Sequence, residues 1–413
     1  MGYRLNQTDL DALLQGGAFF GSGGGGTVTS ARNLSSYFKQ GDYYPVDHFE
    51  VVSVEEATDG DTVMVAYMGA PEAIDSTQFP IGPVAAAQQV LDRLASEGRK
   101  LAYVISPESG ALGFLVAGLV AAKLGLKVID ADGAGRAVPS LPMLTYAAAE
   151  ISPRPTFLVS QGDLAVELNV TPRKGGKNGD PTHQQDVSTI VEQMLRPILA
   201  EQEFGEFGGL AMWVMTPAEL PKALPIRGTL TRALKFGRAL IAGELASSND
   251  VIHYLKKECH IDAHAITAPS TLVSAKVDTT GGFDLGKILL QHGHDSYTVL
   301  YQNESLMAWN STLPHPIALG PDSIAYFVEG KGQAVYSNGD LVLDNGTLNP
   351  TVKDRKIVVL AWQADRALTH GLILDSFLTL LASIGYLGPY VPLGKLDDLN
   401  HPHRIHSSAG VTA

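Results

Sequence analysis

"LAYVISPESGALGFLVAGLVAAKLGLKVIDADGAGR", residues 101–136, decides the fold. "LAYVISPE" reads as a buried strand, "GALGFLVAGLVAAKLG" as a buried helix and "KVIDADG" as another strand. Strand, helix and strand at this spacing make a βαβ unit, which implies a parallel sheet. Upstream, "FEVVSVEEA" and "DTVMVAYMGAP" read as two strands joined by the turn "TDGD". "VAAAQQVLDRLASEG" between them and the βαβ unit is an amphipathic helix ending at Gly98. Further upstream, "TDLDALLQGGAFF" reads as a short helix that opens at Thr8 or Asp9 and stops at Gly16 and Gly17. "GSGGGG", residues 21–26, follows it, and Val28 to Phe38 has helical spacing again.

Downstream the texture changes. Residues 173–185, "RKGGKNGDPTHQQ", are polar, glycine-rich and basic and read as a mobile loop. "DVSTIVEQMLRPIL" and "GTLTRALKFGRALIAGEL" are helices. From Thr271, "TLVSAKVD", "YTVLYQNESLMAWN", "DSIAYFVEG" and "RKIVVLAW" are β-rich runs separated by turn signals such as "TTGGFD" and "SNGD". "HGLILDSFLTLLASIG" is a late helix. The expected fold is therefore an α/β N-terminal domain with a parallel or mixed sheet, residues 1–170, and a second part, residues 171–393, of helices followed by a largely β domain. Residues 394–413 are expected to form a flexible tail.

Composition bounds the function. The chain has 413 residues and 45% hydrophobic residues, enough for substantial cores. Its formal net charge of −13 argues against nucleic acid or an anionic membrane as partner, since phosphate surfaces need basic patches. One cysteine, Cys259, allows no disulfide framework, and a reducing cytoplasm is the expected location. The longest apolar stretch, residues 112–122, is broken by Lys123 and is too short to span a bilayer. The expected partner is a small-molecule substrate, and a homo-oligomer stays open.

Four consecutive glycines in a structured context pose the first chemical question. Glycine loses more backbone freedom on folding than any other residue. Such a run is a linker or a loop that must approach something closely, and its apolar flanks favour a ligand-facing loop, with the backbone N–H groups of Gly23, Gly24, Gly25 and Gly26 as donors. Gly21, Gly23 and Gly26 match G-x-G-x-x-G, but a helix precedes them where a dinucleotide site needs a strand, and no lysine follows as in a P-loop.

Carboxylates gather at expected strand ends. "SPESG" places Glu108, and "IDADGAGRAVP" places Asp130, Asp132 and Arg136, at the carboxyl ends of neighbouring strands, where ligands collect in open α/β sheets. The aspartate pair suits a metal, a general base or a clamp on ring N–H groups; alternatively Asp132 caps a turn and Arg136 pairs structurally. "YQNES" puts Asn303 and Glu304 in an apolar strand, where a carboxylate needs a partner or a function. "HIDAH" (His260, His264) and "HGH" (His292, His294) have ligand-like spacing without further ligands. No cofactor is called for outright, and a divalent metal on Asp130 and Asp132 stays open.

The order "GSGGGG", "MGAP", "PESG", "GLKVIDADGAGRAVPSLPM", "GTLTRALKFGRAL", "AKVDTTGGFDLG", "LYQNESLMAW" and "LGPYVPL" resembles the S-methyl thiohydantoin desulfurase family from Leu13 to Leu393. The sequence departs from the family pattern at "ESGALGF", and Ser140 of "PSLPM" stands where many relatives carry glutamate. The resemblance implies hydrolysis of a carbon–sulfur bond. Water adds to the amidine-type carbon of an S-methylated hydantoin-like ring, methanethiol leaves and a carbonyl remains. Glu108, Asp132 or Glu304 would then take a proton from water. Arg136 or Lys276 would stabilise charge on the ring or its substituent. A metal-bound water on Asp130 and Asp132 is the alternative. A non-catalytic subunit of a hydantoinase system and a nucleotide-using enzyme are the rival classes.

Overall fold

The computed structural model describes residues 2–38, 44, 46–69, 81–171, 182–280, 283–330, 332, 334–342 and 347–401. The first sheet holds eight described strands: β1 (Tyr3–Asn6), β2 (His48–Val52), β3 (Asp61–Gly69), β4 (Leu101–Ser106), β5 (Lys127–Asp132), β6 (Thr156–Val159), β7 (Ala165–Leu168) and β8 (Phe207–Met215), in the order β1-β2-β5-β4-β3-β8-β6-β7. Around it lie α1 (Leu10–Phe20), α2 (Val28–Phe38), α3 (Ile81–Ser96), α4 (Ala111–Leu124), the short α5 (Thr145–Ala148), α6 (Thr182–Leu199), the short α7 (Leu220–Ala223), α8 (Thr229–Ile241) and α9 (Ser248–Glu258).

The βαβ expectation holds: β2, β5, β4 and β3 run parallel through the centre, while β1, β8, β6 and β7 are antiparallel to their neighbours. The sheet is thus mixed. Helix α4 is buried on all sides, with Leu115, Val116, Leu119 and Val120 each at most 1% exposed. Burying such side chains contributes roughly 1.5–3 kcal/mol apiece, which fixes the helix against the sheet. β2 and β3 do not form a hairpin. β2 pairs with β5 and β3 with β4, so the segment between them crosses two strands.

The second sheet comprises β9 (Ala263–Ala265), β10 (Ser270–Thr280), β11 (Phe283–His292), β12 (Asp295–Gln302), β13 (Glu304–Asn310), β14 (Ala318–Leu319), β15 (Ser323–Val328), β16 (Ala334–Tyr336) and β17 (Lys356–Trp362). All its pairings are antiparallel, in the order β14-β13-β12-β11-β10-β17-β15-β16 with β9 on β17. Helices α10 (Gly371–Ser383) and α11 (Leu393–Asn400) complete the described chain. The fold is an α/β domain with a mixed sheet plus a largely β domain.

Three local expectations differ from the structure. Helix α1 continues through Gly16 and Gly17 to Phe20. Those glycines are there for contact: a Cβ on Gly16 would overlap the Ala233 backbone, and one on Gly237 would overlap that of Ala12. α1 and α8 therefore cross at backbone distance. Phe19 stacks on Phe236 of α8 at 4.2 Å and on Trp362 of β17 at 5.4 Å, so α1 is shared by both domains. Second, part of the expected tail is helix α11, packed through Leu393 and Leu396; residues 402–413 lie outside the described residues. Third, Thr182 to Gln185, expected in the loop, begin α6, and residues 172–181 lie outside the described residues.

Candidate active site

The glycine loop stitches the two domains together. Ser22, Gly23, Gly25 and Gly26 have φ of 52°, 84°, 71° and 86°, a left-handed path that favours glycine. Toward the β domain, Ser305 N donates to Ser22 O at 2.9 Å and Asn338 N to Gly23 O at 2.7 Å. Toward the α/β domain, Leu112 N donates to Gly25 O at 3.0 Å. A Cβ on Gly24 would overlap the Glu304 carboxyl, and one on Gly25 would meet Gly110. The loop is not a linker: its backbone is held by both domains and it packs around the Glu304 carboxyl.

Gly25 and Gly26 also line a cavity of about 140 Å³ between the domains. Three glutamates line it: Glu108, from the loop after β4, Glu304, at the start of β13, and Glu192, on α6. Glu304 is 4% exposed, and among the described residues its Oε2 has no hydrogen-bond partner. Burial lifts its pKa to about 8, while the Arg136 charge and the Gly25 amide hold the rise back. Glu108 keeps some exposure and accepts a 2.7 Å bond from Val138 N at Oε2. Its pKa is pushed well above the usual carboxylate range, first by burial and then by Glu304. Two interacting carboxyls of this kind titrate as a pair and retain a proton near neutrality.

Most of the remaining wall is apolar, with Met64, Met68, Leu112, Val116, Phe207 and Leu210 among it. Also in the wall, the buried Glu192 of α6 accepts from Ser140 Oγ at 2.6 Å and from Leu141 N at 2.9 Å. Arg196 donates to Glu192 at 2.7 Å and lies 3.9 Å over the Phe283 ring of the β domain. Neither residue was singled out from sequence; the only signal was their i,i+4 spacing on an amphipathic helix. A second, smaller cavity of about 30 Å³ adjoins the first and shares Gly25, Gly26, Asn303 and Glu304 with it. Asn303, at φ 55°, accepts from Asp284 N at 2.8 Å and so holds the turn that presents Glu304.

Several expected site residues lie elsewhere. Asp132 is fully buried and accepts from Ser109 Oγ at 2.7 Å, Ala134 N at 2.9 Å and Gly135 N at 2.5 Å, so it knots the turn after β5 and does not line the cavity. Asp130 accepts from the Thr231 amide and hydroxyl, anchoring the start of α8. Arg136 is 1% exposed and spends its N–H groups on backbone carbonyls of Ala137, Ser305, Pro321 and Asp322 at 2.6–3.0 Å. It is a rivet between domains, without a side-chain partner to offer a substrate. Lys276 is exposed and lines no part of the cavity; its neighbour Val277 reaches the smaller one. Among the described residues no group of three or more His, Cys, Asp or Glu side chains is arranged to hold a metal ion. His292 and His294 flank Gly293 in the β11–β12 hairpin turn. Asp132→Asn should therefore lower stability by about 1–3 kcal/mol, because an amide N–H₂ would face existing donors. Turnover per folded molecule should stay within a few fold of wild type. Thermal melts beside activity normalised to folded protein check this.

Two domains thus close a small, mostly apolar cavity over a carboxyl pair, and interdomain clefts are where small-molecule sites preferentially occur. The family follows from the sequence matches: an S-Me-THD-like N-terminal domain model matches residues 8–169, an S-Me-THD-like C-terminal domain model matches residues 185–372, and the chain belongs to this family. The spatial division is not the same, since β8, within the second match, is built into the first sheet. A protein from Chromobacterium violaceum with an X-ray crystal structure is 56% identical, covers 95% of this chain and 100% of its own, and superposes with a TM-score of 0.87. No curated protein matches the chain. No helix among the described residues is long and apolar enough to cross a membrane.

Proposed function

We propose that the chain is a hydrolase that removes methanethiol from an S-methylated thiohydantoin-type ring, with Glu304 as base and Glu108 as acid. What carries this reading is the Glu304 carboxyl, buried, unpartnered at Oε2 and elevated to about 8, opposite a second elevated carboxyl in a cavity between domains. The family membership supports the substrate class.

The ring occupies the larger cavity, and a water fits the smaller one, which exceeds the roughly 10–15 Å³ a water needs. Glu304 borders both. Ionised Glu304 takes a proton from the water as its oxygen bonds to the S-methylated carbon, and protonated Glu108 gives its proton to the ring nitrogen. In the second half, Glu108 takes the proton of the new hydroxyl as the carbonyl forms. The carbon–sulfur bond breaks, and Glu304 returns its proton to the departing thiolate. Both carboxyls end as they began, and the products are a ring carbonyl and methanethiol.

The test is turnover in ¹⁸O-water of an S-methylated thiohydantoin carrying an apolar ring substituent. The expected result is one ¹⁸O in the new ring carbonyl per methanethiol released. Methanethiol formed without label in the carbonyl would overturn hydrolysis.

A further inference from the structure

We propose that a second interdomain cavity, lined by Arg232, binds the carboxylate of a small organic acid. This cavity, about 470 Å³, lies on the other side of the Gly135–Arg136 segment from the carboxyl pair. Arg232, on α8, projects to it with its guanidinium 4.7 Å over the Phe20 ring. Among the described residues its only hydrogen bond is a long one, 3.5 Å from Nη2 to Gly135 O, and its buried Nε has no partner.

The charges of Asp132, Asp365 and Asp130 act on Arg232 from a distance, but each acidic group nearby makes its hydrogen bonds or ion pairs with another partner. Asp262 faces Lys256 at 3.3 Å and His264 at 3.7 Å. Asp365 Oδ1 accepts the Ala367 amide. Asp130 and Asp132, behind the wall, hold α8 and the turn after β5 as described above. Cys259 also lines the cavity, but burial pushes its thiol up to about 11, so it supplies no counter-charge. Among the described residues no carboxylate is hydrogen-bonded to the half-buried Arg232 guanidinium, and its planar fork is the shape that a carboxylate meets with two parallel hydrogen bonds. His260 and His264, the "HIDAH" pair that the catalytic reading leaves unused, sit on the rim as exposed ring donors. Ile226, Trp362 and Leu368 give the cavity an apolar side, which suits an acid with a small hydrophobic body.

The probe is benzoate, with benzamide as its uncharged counterpart, titrated calorimetrically into the full chain. Benzoate should bind at one site per chain, with benzamide at least about tenfold weaker. Arg232→Met should weaken benzoate by at least about tenfold, and Glu304→Gln, in the other cavity, should leave it unchanged. The wild-type protein gives a second readout that does not depend on a variant folding. The imidazole resonances of His260 and His264, assigned with His260→Gln and His264→Gln, should move on adding benzoate. Equal affinity for benzamide, full affinity in folded Arg232→Met, no binding of benzoate, or binding that leaves both imidazole signals in place would each overturn the proposal.

Discussion

Glu304→Gln is expected to cut methanethiol release by roughly a hundredfold to ten-thousandfold, the range lost with a general base, while the protein becomes more stable in alkaline buffer. The stability half follows from linkage. The folded pKa of about 8 lies above the ordinary carboxyl value of 4.5, so between these two pH values the native state holds more protons than the unfolded chain. Wild-type stability therefore falls as pH rises from about 4.5 to about 8, by an amount on the order of a few kcal/mol. Glutamine carries no such charge. The melting temperature of the variant should decline less over that interval and exceed that of wild type at pH 8. Residual wild-type activity should rise with pH toward about 8 as the base ionises. Melting curves at several pH values, beside thiol release, check all three. A Glu304 without a raised pKa would show no such crossing, and one without a part in the reaction would leave thiol release near the wild-type rate.

The second large effect is on architecture. Arg136→Met should destabilise the protein by at least about 3 kcal/mol, since it strands buried carbonyls of both domains at once. Arg136→Lys should rescue little of this, because one ammonium cannot span the four acceptors that the planar fork reaches. Arg136 also favours the ionised form of Glu304. In whatever fraction of the variant folds at low temperature, the activity profile should shift to higher pH. Chemical denaturation and a pH–rate series measure the two effects separately.

These residues show what the sequence discloses and what it withholds. The βαβ unit was legible because a buried helix between two short apolar runs has few other solutions, and the β-rich second half because its turns punctuate it regularly. Glu304 stood out because a carboxylate in an apolar strand is costly. Asp132 and Arg136 were expected in the site and do not line the cavity that holds Glu108 and Glu304. A charged pair after a strand looks the same in sequence whether it faces a ligand or a backbone. Contacts with Ser305, Pro321 and Asp322, far along the chain, decide the matter for Arg136. Gly16 and Gly17 read as a helix stop for the same reason: the Ala233 and Gly110 backbones that require them are remote in sequence. Likewise nothing local in residues 207–215 says that β8 returns to the first sheet.

In the proposed mechanism Glu304 and Glu108 together hydrolyse the carbon–sulfur bond. Methanethiol release by the purified chain alone at pH 8 tests this, with wild type, Glu304→Gln and Glu108→Gln compared as folded proteins on one S-methylated thiohydantoin. The expected result is release by wild type, equal in amount to the carbonyl product, and a loss of at least about a hundredfold in each variant. No release by wild type, or variants that release thiol at the wild-type rate, would contradict it.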